Sequence, residues 1–135
     1  MIGLDTGFFL ELVNGNEQAV TLWQSCLDDN VELVVSCLTL FEVERLGLKG
    51  KLRASDTILD AIRGVTLVVW LNREILSRAA GLSHGLGISA VDSLILASLT
   101  SREVSEIYTT DSDLEKYQSK DIMVRNLRRS EYLKS

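Results

Sequence analysis

The sequence predicts an α/β fold, with a central, mainly parallel sheet of about five strands flanked by helices. Three observations carry this prediction. Short runs rich in β-branched residues, such as Val65–Trp70, alternate with longer segments whose apolar residues recur at helical spacing. Proline is absent, so Gly, Asn and Ser supply the breaks between segments. Acidic residues follow directly on two predicted strands, where open α/β sheets carry their ligand sites.

Met1–Leu4 is the first expected strand. Phe8–Val13 follows as an apolar helical segment ending at the turn-forming Asn14-Gly15-Asn16. Within Glu17–Asp29, residues Ala19, Leu22, Trp23, Cys26 and Leu27 share one helical face. Glu32–Val35 is the second strand, and Ser36 offers a hydroxyl N-cap for a helix reaching about Leu46. Gly47 to Gly50 breaks that helix. A further helix is expected over Ala54–Arg63, closed by Gly64, with Val65–Trp70 as the third strand. Asn72 caps a helix from Arg73 to about His84, and Gly85-Leu86-Gly87 forms a turn. Ser89 starts a helix to about Thr100, with Ile95, Leu96 and Leu99 as its apolar stripe. Ile107–Thr109 and Ile122–Val124 are the last two strands. With no repeat or linker, the 135 residues suit a single domain spanning 1–135.

At 46% hydrophobic residues the chain can bury a core without disulfides or metals as staples. The longest apolar runs, such as Val65–Leu71, are too short to span a bilayer, so no membrane role is expected. The N-terminus lacks signal-peptide features, and a cytoplasmic location is expected. Cys26 and Cys37 do not make a metal-ligand spacing, and in their apolar contexts both are expected as reduced, buried thiols. His84 is the single histidine, which argues against a His-rich zinc site. The net charge of −5 does not by itself advertise a nucleic-acid partner. Two basic clusters, Lys49, Lys51, Arg53 and Arg125, Arg128, Arg129, can supply a positive field locally, or be plain solvated surface.

The chemistry-bearing residues are acids. Asp5 directly follows the first strand, and Asp111 directly follows the fourth. Glu42 and Asp92 come from helices. Asp92 precedes Ile95, Leu96 and Leu99 at i+3, i+4 and i+7, so it shares the face that the core should claim. A carboxylate there is costly to bury unless it is paired or binds a cation. Each acid also has a purely structural role open to it. Asp92 completes a Ser89-x-x-Asp92 capping box, and Asp111 can cap a helix starting at Ser112. Asp5 can stabilise a turn, and Glu42 can pair with Arg45.

Four segments bear a more specific resemblance. Ile2-Gly3-Leu4-Asp5-Thr6 resembles the hydrophobic-strand, Asp-Thr/Ser opening of PIN domains. Ser36-Cys37-Leu38-Thr39-Leu40-Phe41-Glu42 resembles the family's second motif, whose glutamate matches Glu42. Val91-Asp92-Ser93-Leu94-Ile95-Leu96-Ala97 is similar to its Asp-x-x-Ile-x-Ala motif. Thr109-Thr110-Asp111-Ser112-Asp113-Leu114 is similar to its Thr-x-Asp-x-Asp-Phe motif, with Leu114 in place of the aromatic. The four occur in order over nearly the whole chain.

The resemblance implies a PIN-like fold and a ribonuclease dependent on Mg²⁺ or Mn²⁺, with Asp5, Glu42, Asp92 and Asp111 as the acidic set. Asp113 is a second candidate in the last motif, so the fourth ligand is Asp111, Asp113 or both. Thr6 and Thr109 are candidates to orient the acids through hydrogen bonds, or are plain turn hydroxyls. The short form is most like VapC-type toxins of toxin–antitoxin pairs, which implies an RNA substrate, an antitoxin partner and a homodimer. The alternative is a PIN-fold scaffold or binding module with weak or absent catalysis, which the acidic charge suits. Aspartyl phosphoryl transfer from Asp5 is disfavoured, because the position two residues on is Gly7 rather than a second acid.

Overall fold

The structure is a computed structural model and describes residues 1–128. Its sheet has five strands: β1 (Ile2–Leu4), β2 (Leu33–Ser36), β3 (Thr66–Val69), β4 (Glu106–Thr109) and β5 (Met123–Asn126). Their order is β3-β2-β1-β4-β5, and all four pairings are parallel. The helices are α1 (Thr6–Val13), α2 (Glu17–Asp28), α3 (Cys37–Leu48), α4 (Ser55–Val65), α5 (Arg73–Leu86) and α6 (Ala90–Thr100). A short 3₁₀ turn at Ser112–Lys116 follows β4.

Alternation along the strands builds two cores. Leu33 and Val35 of β2 face one way, into a core with Leu4, Phe8, Phe9 and residues of α2, α3 and α4. Val34 faces the other way, into a core with Ile107, Ile75 and the apolar stripe of α6. Phe8, Phe9 and Trp23 pack edge-on or tilted, with the Phe8–Phe9 centroids 5.3 Å apart. Gly3 in the central strand lets α6 approach closely, because a Cβ there would stand 3.3 Å from Ile107 and 3.4 Å from Leu99. The helix that carries Asp92 is thereby held against β1.

Several boundaries differ from those expected. Helix α3 runs through Gly47 to Leu48, and α4 runs through Gly64 to Val65, which moves β3 to Thr66–Val69 and leaves Trp70 outside it. Helix α5 likewise absorbs Gly85 and Leu86. A helical glycine costs about 1 kcal/mol relative to alanine. Leu82 and Leu86 pack against the second core, so tertiary contact outweighs that propensity. Gly87 takes the left-handed conformation (φ 68°) and ends the helix. The helix expected after Asp111 is only the 3₁₀ turn.

Strand order reverses between β1 and β4. The chain leaves β1 toward β2 and β3, and returns on the other side of β1 as β4. The crevice beyond the carboxyl ends of these two strands is where such sheets bind ligands. Asp5 and Asp111 both lie at this point.

Candidate active site

Asp5 caps α1 directly after β1. Its Oδ1 accepts a hydrogen bond from Phe8 N at 3.0 Å, and its backbone N–H reaches Tyr108 O at 3.2 Å. Its Oδ2 accepts a short hydrogen bond from the Thr109 hydroxyl. The residue is only 6% exposed. Burial pushes its pKa up to about 7, against these hydrogen bonds, which favour the anion; the charges of Asp111 and Asp92 raise it further.

Thr109 serves two acids. Its oxygen accepts the backbone N–H of Asp111 at 2.9 Å while its proton goes to Asp5. Asp111 in turn accepts from Asp113 N at 2.9 Å and so starts the 3₁₀ turn. Leu114, fully buried, anchors that turn in place of an aromatic.

Asp92 lies in the first turn of α6, half-buried, with its N–H donating to the Ser89 hydroxyl at 3.2 Å. Its pKa rises to about 6, first through desolvation and then through Asp111 and Glu42, while the hydrogen bond with Ser89 opposes the rise. Oxygens of Asp92, Asp111 and Asp113 all lie within 4.8 Å of one another. Asp113 also pairs with Lys116 at 3.2 Å. Three carboxylate oxygens gathered within 4.8 Å of one another would suit a hard divalent cation, which takes oxygen ligands. Hard carboxylate oxygens fit Mg²⁺ or Mn²⁺ better than soft metals.

Glu42 enters from α3. Its Oε1 lies 2.5 Å from the Thr6 hydroxyl, which is also 3.1 Å from the Thr39 hydroxyl. One Thr6 proton cannot serve both neighbours. It goes to the carboxylate, and Thr39 donates to Thr6. The expected alternative, a Glu42–Arg45 pair, does not occur among the described residues. The capping role foreseen for Asp111 does occur, and at Ser89 the hydroxyl caps α6 through Asp92 N, which is one half of the capping box. The structure thus gathers Asp92, Asp111 and Asp113 closely, with Asp5 and Glu42 near enough for charge to act between them and this group, and with Thr6 and Thr109 bonded to acids.

Two contributors escaped the sequence. Thr39 backs the Thr6–Glu42 contact; its signal was a polar residue one turn before Glu42 on an apolar helix. Gly7 allows β4 and α1 to meet, because a Cβ there would collide with Thr110 Oγ1 and stand 3.1 Å from Thr110 Cβ. That steric demand accounts for the glycine at this position. Elsewhere, Cys26 is buried, Cys37 half-buried, both are free, and His84 is exposed. Of the second basic cluster, Arg125 pairs with Glu106 and Arg128 with Glu11, while Arg129 lies outside the described residues.

A parallel five-stranded sheet with acids gathered at its switch point defines a particular class of α/β protein. The chain belongs to the PIN domain family, whose sequence model matches residues 2–120. No curated protein matches it in sequence. Among solved structures it is similar to VapBC-1 from nontypeable Haemophilus influenzae (TM-score 0.72, 20% identity, 96% of this chain and 100% of that one). It is also similar to Mycobacterium tuberculosis VapC20, a sarcin–ricin loop cleaving toxin (TM-score 0.67, 23% identity, 85% and 93%). FitAcB from Neisseria gonorrhoeae is a third (TM-score 0.63, 24% identity, 93% and 97%). Among the described residues, no helix is long and apolar enough to cross a membrane.

Proposed function

We propose that this chain is a Mg²⁺- or Mn²⁺-dependent ribonuclease, and the toxin of a toxin–antitoxin pair. One observation carries the reading: three carboxylates gather within 4.8 Å of one another near the switch point of the sheet, Asp5 and Glu42 interact with them through charge, and two of the five acids have raised pKa values. Such a cluster is costly without a cation to neutralise it. Membership of the PIN family and likeness to toxin–antitoxin structures support the nuclease chemistry and an antitoxin partner.

Asp92, Asp111 and Asp113, whose oxygens lie within 4.8 Å of one another, would hold the cation, with Asp5 and Glu42 beside them as further candidate ligands. When bound, the ion supplies charge relief at phosphorus and lowers the pKa of water. Glu42, aimed by Thr6, positions the attacking water. Thr109 fixes the orientation of Asp5. Hydrolysis joins the water oxygen to phosphorus as the ribose oxygen leaves and takes up a proton. The reading includes a homodimer, a single domain over the whole chain, and action in the cytoplasm, where the RNA is.

The test is cleavage of a panel of structured RNAs in Mn²⁺ and in EDTA, with wild type and Asp5→Asn. Wild type should cut only with metal, and Asp5→Asn should stay folded and inactive. Millimolar Mn²⁺ should also raise the melting temperature of wild type, because the ion binds the folded state alone. A folded wild type that neither cuts nor shifts would favour the scaffold role, which the net charge of −5 suits.

A further inference from the structure

A chain of net charge −5, with an acidic crevice, needs a local positive surface to hold a polyanion. The structure separates the two basic clusters. Arg125 and Arg128 are committed to Glu106 and Glu11. By contrast, Arg45, Lys49, Lys51 and Arg53 are all exposed, and none makes an ion pair among the described residues. No acid lies between Glu44 and Asp56, so four uncompensated cations sit within one short stretch.

Helical geometry ties this stretch to the crevice. At 100° per residue, Phe41, Glu42, Arg45, Leu48 and Lys49 fall within an arc of about 120° on α3, and Lys49 lies about 10 Å along the axis from Glu42. Phe41, beside Glu42, is 58% exposed, and Leu48 is 86% exposed. The turn after α3 is held in place. Leu52 is buried in the core between exposed Lys51 and Arg53, and Lys51 N bonds Leu46 O at 3.0 Å. Gly47 admits Ser55 so closely that a Cβ would collide with it. These cations are therefore carried on a braced scaffold.

We propose that the outer face of α3 and the α3–α4 turn form the RNA-docking track. Arg45, Lys49, Lys51 and Arg53 engage successive phosphates, and Phe41 stacks on an unpaired base next to the scissile phosphate. The occupant is single-stranded RNA or a loop, because only an unstacked base can cover Phe41. This rests on the ribonuclease reading and names the surface that would bring the substrate to it.

The experiment uses the full chain and a labelled single-stranded RNA, titrated in Mg²⁺ in an Asp5→Asn background so that the RNA is not cut. Lys49→Gln/Lys51→Gln/Arg53→Gln should weaken binding at least tenfold and lower the salt slope by about 2, at roughly 0.7 per lost phosphate contact. Phe41→Ala should weaken it about tenfold with little change in that slope. Arg128→Gln should leave binding unchanged. In the chain with Asp5 intact, the triple variant should hydrolyse a small aryl phosphodiester at the wild-type rate, since that substrate does not reach the track. Unchanged RNA affinity in the triple variant would overturn the proposal. So would a loss that accompanies a changed solution mass, which would make this face a protein interface. Diester hydrolysis without any RNA binding would overturn the track and leave the nuclease reading standing. RNA binding lost as expected, with no metal-dependent cleavage of any substrate, would support the track and sink the nuclease.

Discussion

The hydroxyl of Thr109 donates to Asp5 Oδ2 and accepts the backbone N–H of Asp111, so one side chain at the end of β4 sets the positions of two acids. Replacing it with valine keeps the shape and removes both bonds. A buried carboxylate oxygen would lose its donor, at a cost of about 1–3 kcal/mol. Thr109→Val should therefore lower stability by that amount in urea denaturation and reduce metal-dependent cleavage, while Thr109→Ser should retain both.

Asp5 should impose a pH dependence on the metal-free protein. Its folded pKa of about 7 lies above the ordinary 3.8, so the folded state holds a proton that the unfolded chain has released between those values. Stability then falls as pH rises through this window, by an amount on the order of a few kcal/mol. Asp5→Asn should flatten the slope and match or exceed wild-type stability at pH 8 without metal. Denaturation midpoints from pH 4 to pH 8, with and without the substitution, check this.

The same protons compete with a cation. Asp5 and Asp92, at about 7 and about 6, must both lose theirs to become ligands. Mn²⁺ affinity should climb steeply from pH 5.5 to pH 7.5 and level off above it. Calorimetric titrations at several pH values, with proton release read from buffers of different ionisation enthalpy, measure this. A flat profile would remove Asp5 and Asp92 from the ligand set.

Asp111 and Asp113 should separate on substitution. Asp111 raises the pKa of both Asp5 and Asp92, and caps the 3₁₀ turn, whereas Asp113 is partly occupied by a half-exposed pair with Lys116. Asp111→Asn should lower both neighbouring pKa values and cost more activity than Asp113→Asn. Equal losses would make the two acids equivalent. NMR titration of the carboxyl carbons reads the shifts.

Gly7 tests how tightly the crevice is built. Gly7→Ala forces its Cβ against Thr110, and overpacking of this kind costs about 1–3 kcal/mol. Thr110→Ala removes the nearest atom, so the double variant should recover much of the loss. A double-mutant cycle in denaturant gives the coupling; additive effects would mean that the contact relaxes freely.

The alternation of β-branched runs with helical spacing determined the α/β class, because strand and helix periods are local properties of the chain. The positions of Asp5 and Asp111 at strand ends were legible for the same reason, and the four motifs carried the family. The continuation of α3 through Gly47, α4 through Gly64 and α5 through Gly85 was not legible; for α5, packing of Leu82 and Leu86 against the second core outweighs the local preference of glycine. The sequence also left Asp111 and Asp113 as rivals. Only the folded chain brings both within reach of Asp92, because their separation depends on how the 3₁₀ turn approaches α6. Burial of Asp5, the Thr6–Glu42 bond and the pairing of Arg125 and Arg128 likewise join residues far apart in the chain. The residue types and their order were therefore set by the sequence, while their mutual distances and charge states arise from crossover connections that no local pattern encodes.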